Sequence, residues 1–259
     1  MTDNRQAEAL CKVPALTLGF WIIKILATTL GETAGDTVSM TMTLGYLVGT
    51  AIFAALLGVL VWWQMRARTF QPWLYWATII ASTTAGTTLA DFATRSMGIG
   101  YTGGSSLLLV CVLMSLLVWY RSTGSIAVTT VQSSKTEMFY WVTITFSQTL
   151  GTALGDWAAD TGGLGYLGGA VLFGACLLGL LALYFLTKTS RVFLFWAAFI
   201  LTRPLGATVG DFLDKPLDKG GLDFSRPLAS LVLTVAIVAL IFLLPQRAGK
   251  HPESEKKAA

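Results

Sequence analysis

The stretch Trp21-Ile-Ile-Lys-Ile-Leu-Ala-Thr-Thr-Leu-Gly-Glu-Thr-Ala-Gly-Asp36 decides the fold, because its frame returns three more times along the chain. A tryptophan stands fifteen residues before an aspartate in each copy: Trp21 and Asp36, Trp76 and Asp91, Trp141 and Asp156, Trp196 and Asp211. Small residues precede each aspartate by five and by one: Gly31 and Gly35, Gly86 and Ala90, Gly151 and Gly155, Gly206 and Gly210. Nine residues after it comes Gly45-Tyr46, Gly100-Tyr101 or Gly165-Tyr166; the fourth copy has an insertion and Asp223-Phe224 instead. The aspartates are 55, 65 and 55 residues apart, so the two halves of the chain are offset by 120. Matches at fixed offsets in four copies mark an internal repeat.

Working outward, the composition sets the medium. Of 259 residues, 54% are hydrophobic and 12% charged, with a mean hydropathy of +0.66. A soluble domain carries about 25% charge to keep its surface solvated. The 26 glycines and 9 tryptophans point the same way, since membrane helices tolerate Gly and membrane interfaces collect Trp. This composition excludes a soluble enzyme, a nucleic-acid binder and a disulfide scaffold. Cys11, Cys111 and Cys176 lack metal or redox spacing, and the single histidine, His251, sits in a polar tail. Any site must use oxygen ligands, hydroxyls, or Lys and Arg.

A membrane helix needs about 20 apolar residues. Eight spans satisfy this, at about 14–36, 44–65, 73–94, 101–120, 138–157, 164–187, 192–213 and 227–245. The first contains Lys24, Glu32 and Asp36 and does not read as a cleaved signal peptide. Residues 1–13 and 246–259 are expected to be tails, and 14–245 a single transmembrane domain with repeats at about 14–66, 72–121, 137–188 and 191–245. The tails and the loops after spans 2, 4 and 6 hold 12 Lys and Arg. The other side holds four, Arg95, Lys215, Lys219 and Arg226. The positive-inside rule then places both termini in the cytoplasm.

Each repeat reads as a helical hairpin, a polar odd span followed by an apolar even one. Two spans return the chain to the same side, so the four copies run parallel around an axis along the membrane normal. The expected fold is an all-α membrane protein: eight transmembrane helices, as four parallel helical-hairpin repeats around a pseudo-symmetric axis, the odd helices inside. The tryptophans are expected to act as interfacial anchors and the Gly pairs to let helices pack closely. On this repeat, from about Val13 to Leu244, the chain resembles a bacterial integral membrane protein family of four tandem two-helix repeats with a characteristic tryptophan, catalogued as a repeat of unknown function. A looser similarity links Glu32-Thr33-Ala34-Gly35-Asp36-Thr37 to cation/proton exchangers with Glu-x-Gly-Asp-Lys/Arg-Thr/Ser. This chain has one residue more between Glu and Gly, and its other repeats have no Glu.

Positions four residues apart share a helix face. Stepping back from each aspartate gives Asp36, Glu32, Thr28, Lys24; then Asp91, Thr87, Thr83, Ile79; then Asp156, Thr152, Gln148, Ile144; then Asp211, Ala207, Arg203, Phe199. Each Trp and its Asp are roughly 22 Å apart at 1.5 Å per residue, so the aspartates fall near the outer interface. Carboxylates so placed can simply cap or solvate, and Glu32 can pair with Arg203. The functional reading is an outward vestibule lined by Glu32, Asp36, Asp91, Asp156 and Asp211 as metal ligands. Thr28, Thr83, Thr87, Thr152 and Gln148 would supply neutral oxygens, and Lys24 and Arg203 a stand-in charge. Asp160, Asp214, Asp218 and Asp223 make the outer loops acidic. Such oxygens suit Mg²⁺, Mn²⁺ or Ca²⁺.

The expectation is therefore a transporter rather than an enzyme, in a bacterial inner membrane, moving a divalent cation (Mn²⁺ the best single choice) as substrate. Coupling would come from protons or another ion, with Glu32 and a nearby Asp as candidate proton carriers, because the chain has no nucleotide-binding motif. The partners are the lipid bilayer and a small ion, with no nucleic acid and no resident cofactor. The competing expectations are a passive channel, a membrane scaffold or partner subunit, and a transporter of a small anionic or organic solute held by Lys24 and Arg203.

Overall fold

The computed structural model describes residues 11–249. The remaining tail residues, with Arg5, Lys250, His251, Lys256 and Lys257, lie outside the described residues. Eight long helices run through the described chain. They are α1 Leu18–Asp36, α2 Gly45–Arg66, α3 Pro72–Asp91, α4 Gly100–Thr123, α5 Ser134–Asp156, α6 Gly165–Leu186, α7 Arg191–Asp214 and α8 Arg226–Leu243. Of these, α2, α4, α6, α7 and α8 are long and apolar enough to cross a membrane. The hydroxyl-rich stripe lowers the hydropathy of α1, α3 and α5. The chain is a helical membrane protein with an internal repeat.

Local chemistry sets the helix ends. Thr17 and Ser190 accept N-cap bonds from Phe20 N–H and Phe193 N–H, and Ser133 with Thr136 forms a capping box, satisfying donors that the first turn leaves free. Gly45, Gly100 and Gly165 open α2, α4 and α6 at φ of 77°, 71° and 64°, a left-handed backbone that favours glycine. That requirement explains the repeated Gly-Tyr. The odd helices run unbroken through their glycines. After Asp36, Asp91 and Asp156 the chain enters five-residue π-turns, Thr37–Thr41, Phe92–Ser96 and Trp157–Thr161. The fourth copy keeps its α-helix to Asp214, and Leu222 N–H and Phe224 N–H then bond back to Phe212 O and Leu213 O (2.8 and 2.9 Å).

α1, α3, α5 and α7 pack in a closed ring, each against the next and α7 against α1. The even helices lie outside, with a correction to the hairpin expectation. Each even helix packs on the odd helix of the following repeat: α2 on α3, α4 on α5, α6 on α7, and α8 back on α1. Within each of the first three repeats the two helices meet chiefly through the π-turn, which swings the chain outward after the aspartate.

The ring is geared by its small residues. A Cβ on Gly31 would lie 2.3 Å from the Thr83 side chain; on Gly86, 2.9 Å from the backbone of Gln148; on Gly151, 2.0 Å from Arg203 Cγ; on Gly206, 2.2 Å from Thr28 Oγ1. Each repeat's glycine thus receives the residue three positions earlier in the frame of the next repeat, around the full circle. Equal levels in all four contacts mean that the odd helices run parallel.

One turn from the other end, an aromatic residue precedes every repeat tryptophan, and these pairs close a second ring. Phe20 meets Trp76 (5.5 Å between centroids), Tyr75 meets Trp141 (5.8 Å), Tyr140 meets Trp196 (6.4 Å) and Phe195 meets Trp21 (6.0 Å). Trp76, Trp141 and Trp196 are buried in the core and Trp21 packs against it. They are therefore core plugs rather than interfacial anchors. Trp76 Nε1 donates to Gln246 Oε1 and Trp196 Nε1 to Ile126 O, so even their polar edges are used inside.

The tails expectation is corrected here too. Residues 14–17 precede α1 rather than belonging to it, and Pro14 pairs with Ala248 in a short antiparallel bridge. Ala15 N–H donates to Arg247 O and Gly249 N–H to Val13 O. Cys11, Lys12 and Val13 are buried. Lys12 Nζ lies 2.5 Å from Glu137 and donates to the carbonyls of Gln64 and Met65 that end α2. Residues 11–15 and 247–249 thus close over the tryptophan end together.

Candidate functional site

Between the aromatic ring and the aspartates, the four-residue stripe becomes a stack of layers. From the tryptophan end these are Lys24, Ile79, Ile144 and Phe199; then Thr28, Thr83, Gln148 and Arg203; then Glu32, Thr87, Thr152 and Ala207; then Asp36, Asp91, Asp156 and Asp211. All sixteen side chains are buried, and the aspartates are only 1–2% exposed. The open vestibule expected from the stripe is thus a closed site. The outer loop carboxylates Asp160, Asp218 and Asp223 remain exposed.

The aspartates are divided into two pairs by basic residues that the sequence assigns to loops. Arg95, one turn beyond Asp91, places Nε 3.0 Å from Asp91 and a terminal nitrogen 3.2 Å from Asp156. Lys215, one turn beyond Asp211, places Nζ 2.8 Å from Asp211 and 2.6 Å from Asp36, with Asp214 at 3.8 Å. Arg226 adds contacts to Asp214 (3.2 Å) and Asp36 (3.8 Å). Burial opposes the charge on Lys215, but Asp211, Asp36 and Asp214 outweigh it and hold the ammonium above the ordinary lysine range. The signal for both clamps is a basic residue four positions after the aspartate in repeats two and four. The tyrosines that follow the turn glycines flank one clamp: Arg95 donates to Tyr46 Oη (3.3 Å) and lies over the Tyr101 ring.

One layer deeper, Arg203 crosses the axis. Its Nη2 lies 3.0 Å from Glu32 and donates to the hydroxyls of Thr87 (2.6 Å) and Thr152. Ala207, the fourth member of that layer, leaves room for it. Both threonines also donate to Glu32 at 3.4 Å, and Thr28 spends its hydroxyl on Ile25 O and Thr202 O. Pro204 follows Arg203 inside α7; lacking an N–H, it frees a carbonyl one turn back and loosens the helix at this point.

Of the five predicted metal ligands, Glu32, Asp36 and Asp211 come together, with one carboxylate oxygen from each within 4.8 Å of the others. Asp91 and Asp156 do not join them; they are held apart on Arg95. Counting the clamps, six carboxylates (Glu32, Asp36, Asp91, Asp156, Asp211, Asp214) face four cations (Arg95, Arg203, Lys215, Arg226). At formal charge the acids outnumber these bases by two, with the carboxylates buried and Arg95 and Arg226 partly exposed.

Sequence reasoning missed three features here. The aromatic partner before each tryptophan stands at a fixed offset and could have been found. So could the basic residues after Asp91 and Asp211. Glu137, which holds Lys12, had no repeat signal. Neither a curated protein nor a solved structure matches this chain. A family model described as Repeat of Unknown Function (DUF347) matches four times, over residues 19–70, 74–125, 139–190 and 194–246, and the chain belongs to that family of tandem repeats.

Proposed function

We propose that this chain is a secondary transporter of a divalent metal cation, with Mn²⁺ the first cation to test. In this reading all eight helices cross a bacterial inner membrane, the tryptophan end and both termini face the cytoplasm, and the aspartate end faces outward. The observation that carries it is the buried Glu32–Asp36–Asp211 group, set where acids outnumber bases by two at formal charge. Hard divalent ions take carboxylate and hydroxyl oxygens. An isolated charge excess buried in low dielectric is costly unless compensated, and one divalent ion would balance it.

The chemistry follows from what each residue can release. Lys215 is a tethered cation between Asp36 and Asp211; an incoming ion takes its place and Lys215 retreats toward Asp214. Glu32, Thr87 and Thr152 offer the inner oxygens once Arg203 withdraws, and Pro204 gives α7 a place to bend. Glu32 is the candidate proton carrier, since protonation would free Arg203. The aromatic ring is the cytoplasmic barrier and the clamped aspartates the outer one, so the described state is occluded at both ends. Alternate opening would expose the same carboxylates to each side.

The test is thermal unfolding of detergent-purified protein with Mn²⁺, Mg²⁺, Ca²⁺, Zn²⁺ and Co²⁺, followed by flux into proteoliposomes. A ligand of the folded state alone raises Tm by mass action. A selective rise that Asp36→Asn and Asp211→Asn abolish, with matching flux, is expected. No shift with any cation at millimolar concentration overturns the cation reading.

A further inference from the structure

Lys24 lies one layer below Arg203 and is wholly buried, yet its Nζ makes no hydrogen bond. It rests 4.2 Å from the Phe199 ring centroid, and among the described residues no carboxylate lies within ion-pair distance of it. The adjoining layer holds no acid, and Glu32, two layers away, is engaged by Arg203. Lys24 is therefore a buried amine left outside the charge balance of the aspartate end, with no acid beside it to hold its proton.

Its surroundings are short of partners in the same way. In the adjoining layer Thr83 Oγ1, both amide atoms of Gln148 and Nε of Arg203 are buried without a hydrogen bond. Buried polar groups are nearly always satisfied, and each exception calls for an explanation. Their positions are not scattered. Thr83 sits against Gly31, Gln148 against Gly86 and Arg203 against Gly151, three consecutive members of one ring around the axis. The free groups are an amine, an amide N–H₂ with its carbonyl oxygen, a hydroxyl and a guanidinium N–H, so donors outnumber the one group that can only accept. Such a set, with no carboxylate to spare, suits an acceptor that carries negative charge and keeps the Lys24 amine protonated when it binds.

We propose that the axis binds a small monovalent anion between Arg203 and the aromatic ring, with Lys24 as its counter-charge and Gln148 and Thr83 as hydrogen-bond donors. The anion is either a free halide or the carboxylate of a small solute. This position lies below the cation group around Asp36 and borders it at Arg203, so the test is run with no divalent cation present.

The experiment uses the full chain in detergent with EDTA, so that no divalent cation contributes. Chloride, bromide or acetate replaces gluconate at constant sodium and ionic strength while Tm is followed. The expected result is a saturable rise of about 5 °C or more at a hundredfold excess over the dissociation constant. A rise with halides alone assigns a free inorganic anion; a rise with acetate as well assigns carboxylate recognition. Lys24→Met should lose the response and, in gluconate, melt higher than the parent, because it removes a buried amine that has no hydrogen-bond or ion-pair partner. Should Lys24→Met fail to fold, Gln148→Leu carries the same reading, with at least a tenfold rise in the anion concentration needed. Equal Tm in all salts, or an unchanged response in either folded variant, overturns the proposal.

Discussion

Arg95 and Lys215 stand 120 residues apart and do the same thing in opposite halves of the bundle. Each follows an aspartate by one helical turn and ties it to the aspartate of a neighbouring repeat. Repeats one and three have Met40 and Asp160 at that position. The backbone ring therefore approximates four-fold symmetry, while its charges follow a two-fold.

Lys215→Met should be the more damaging of the two clamp losses, because the lysine is more buried than Arg95 and serves three carboxylates. Removing one partner of a buried pair costs about 3–5 kcal/mol. The folded pKa of Lys215 is raised, so its contribution is complete below the ordinary lysine value of about 10.4 and is lost only as pH rises through the higher folded value. In the parent protein the Lys215 ammonium itself should thus contribute no titration between about pH 6 and 9, whereas Lys215→Met should regain stability as pH falls. Tm against pH for both proteins measures this.

Arg203 and Glu32 should behave as a coupled pair. Arg203→Met or Glu32→Gln alone leaves one buried charge uncompensated and costs about 3–5 kcal/mol. The double variant should recover most of that loss, and a double-mutant cycle gives the coupling directly. Additive losses would mean that Thr87 and Thr152, rather than Glu32, hold the guanidinium.

Glycines on the two helix classes should respond in opposite directions. Gly86→Ala would place its Cβ 2.9 Å from the Gln148 backbone, where nothing yields cheaply, at a cost of about 1–3 kcal/mol. Gly174→Ala on α6 meets nothing within 4 Å and should gain about 0.5–1 kcal/mol from helix propensity. Thermal unfolding of the two variants side by side decides it.

Cys11 should report whether the tryptophan end is sealed. Its thiol is fully buried, and burial pushes its pKa up, so both access and thiolate fraction oppose alkylation. Lys12→Ala releases the hold on Glu137 and on the end of α2; maleimide labelling of Cys11 should accelerate about tenfold or more, with Cys111→Ser and Cys176→Ser in the background. An unchanged rate would place the seal in the 13–15 and 247–249 pairing alone.

Read by itself, the sequence determined the helices, the repeat frame, the inward stripe and the membrane class. These are local or periodic properties: an apolar run long enough to span, a four-residue step along one face, and a glycine needed at a left-handed turn. Which helices touch was not legible, and the tertiary structure decided that each even helix packs on the next repeat's odd helix. It likewise turned the tryptophans from presumed anchors into a closed core ring. The largest difference lies in the charges. Asp36, Asp91, Asp156 and Asp211 are equivalent in the repeat, but only Asp36 and Asp211 join Glu32, because Arg95 reaches the other two. An ion pair forms between residues far apart in sequence, and its energy depends on separation and burial, quantities that a one-dimensional pattern does not contain.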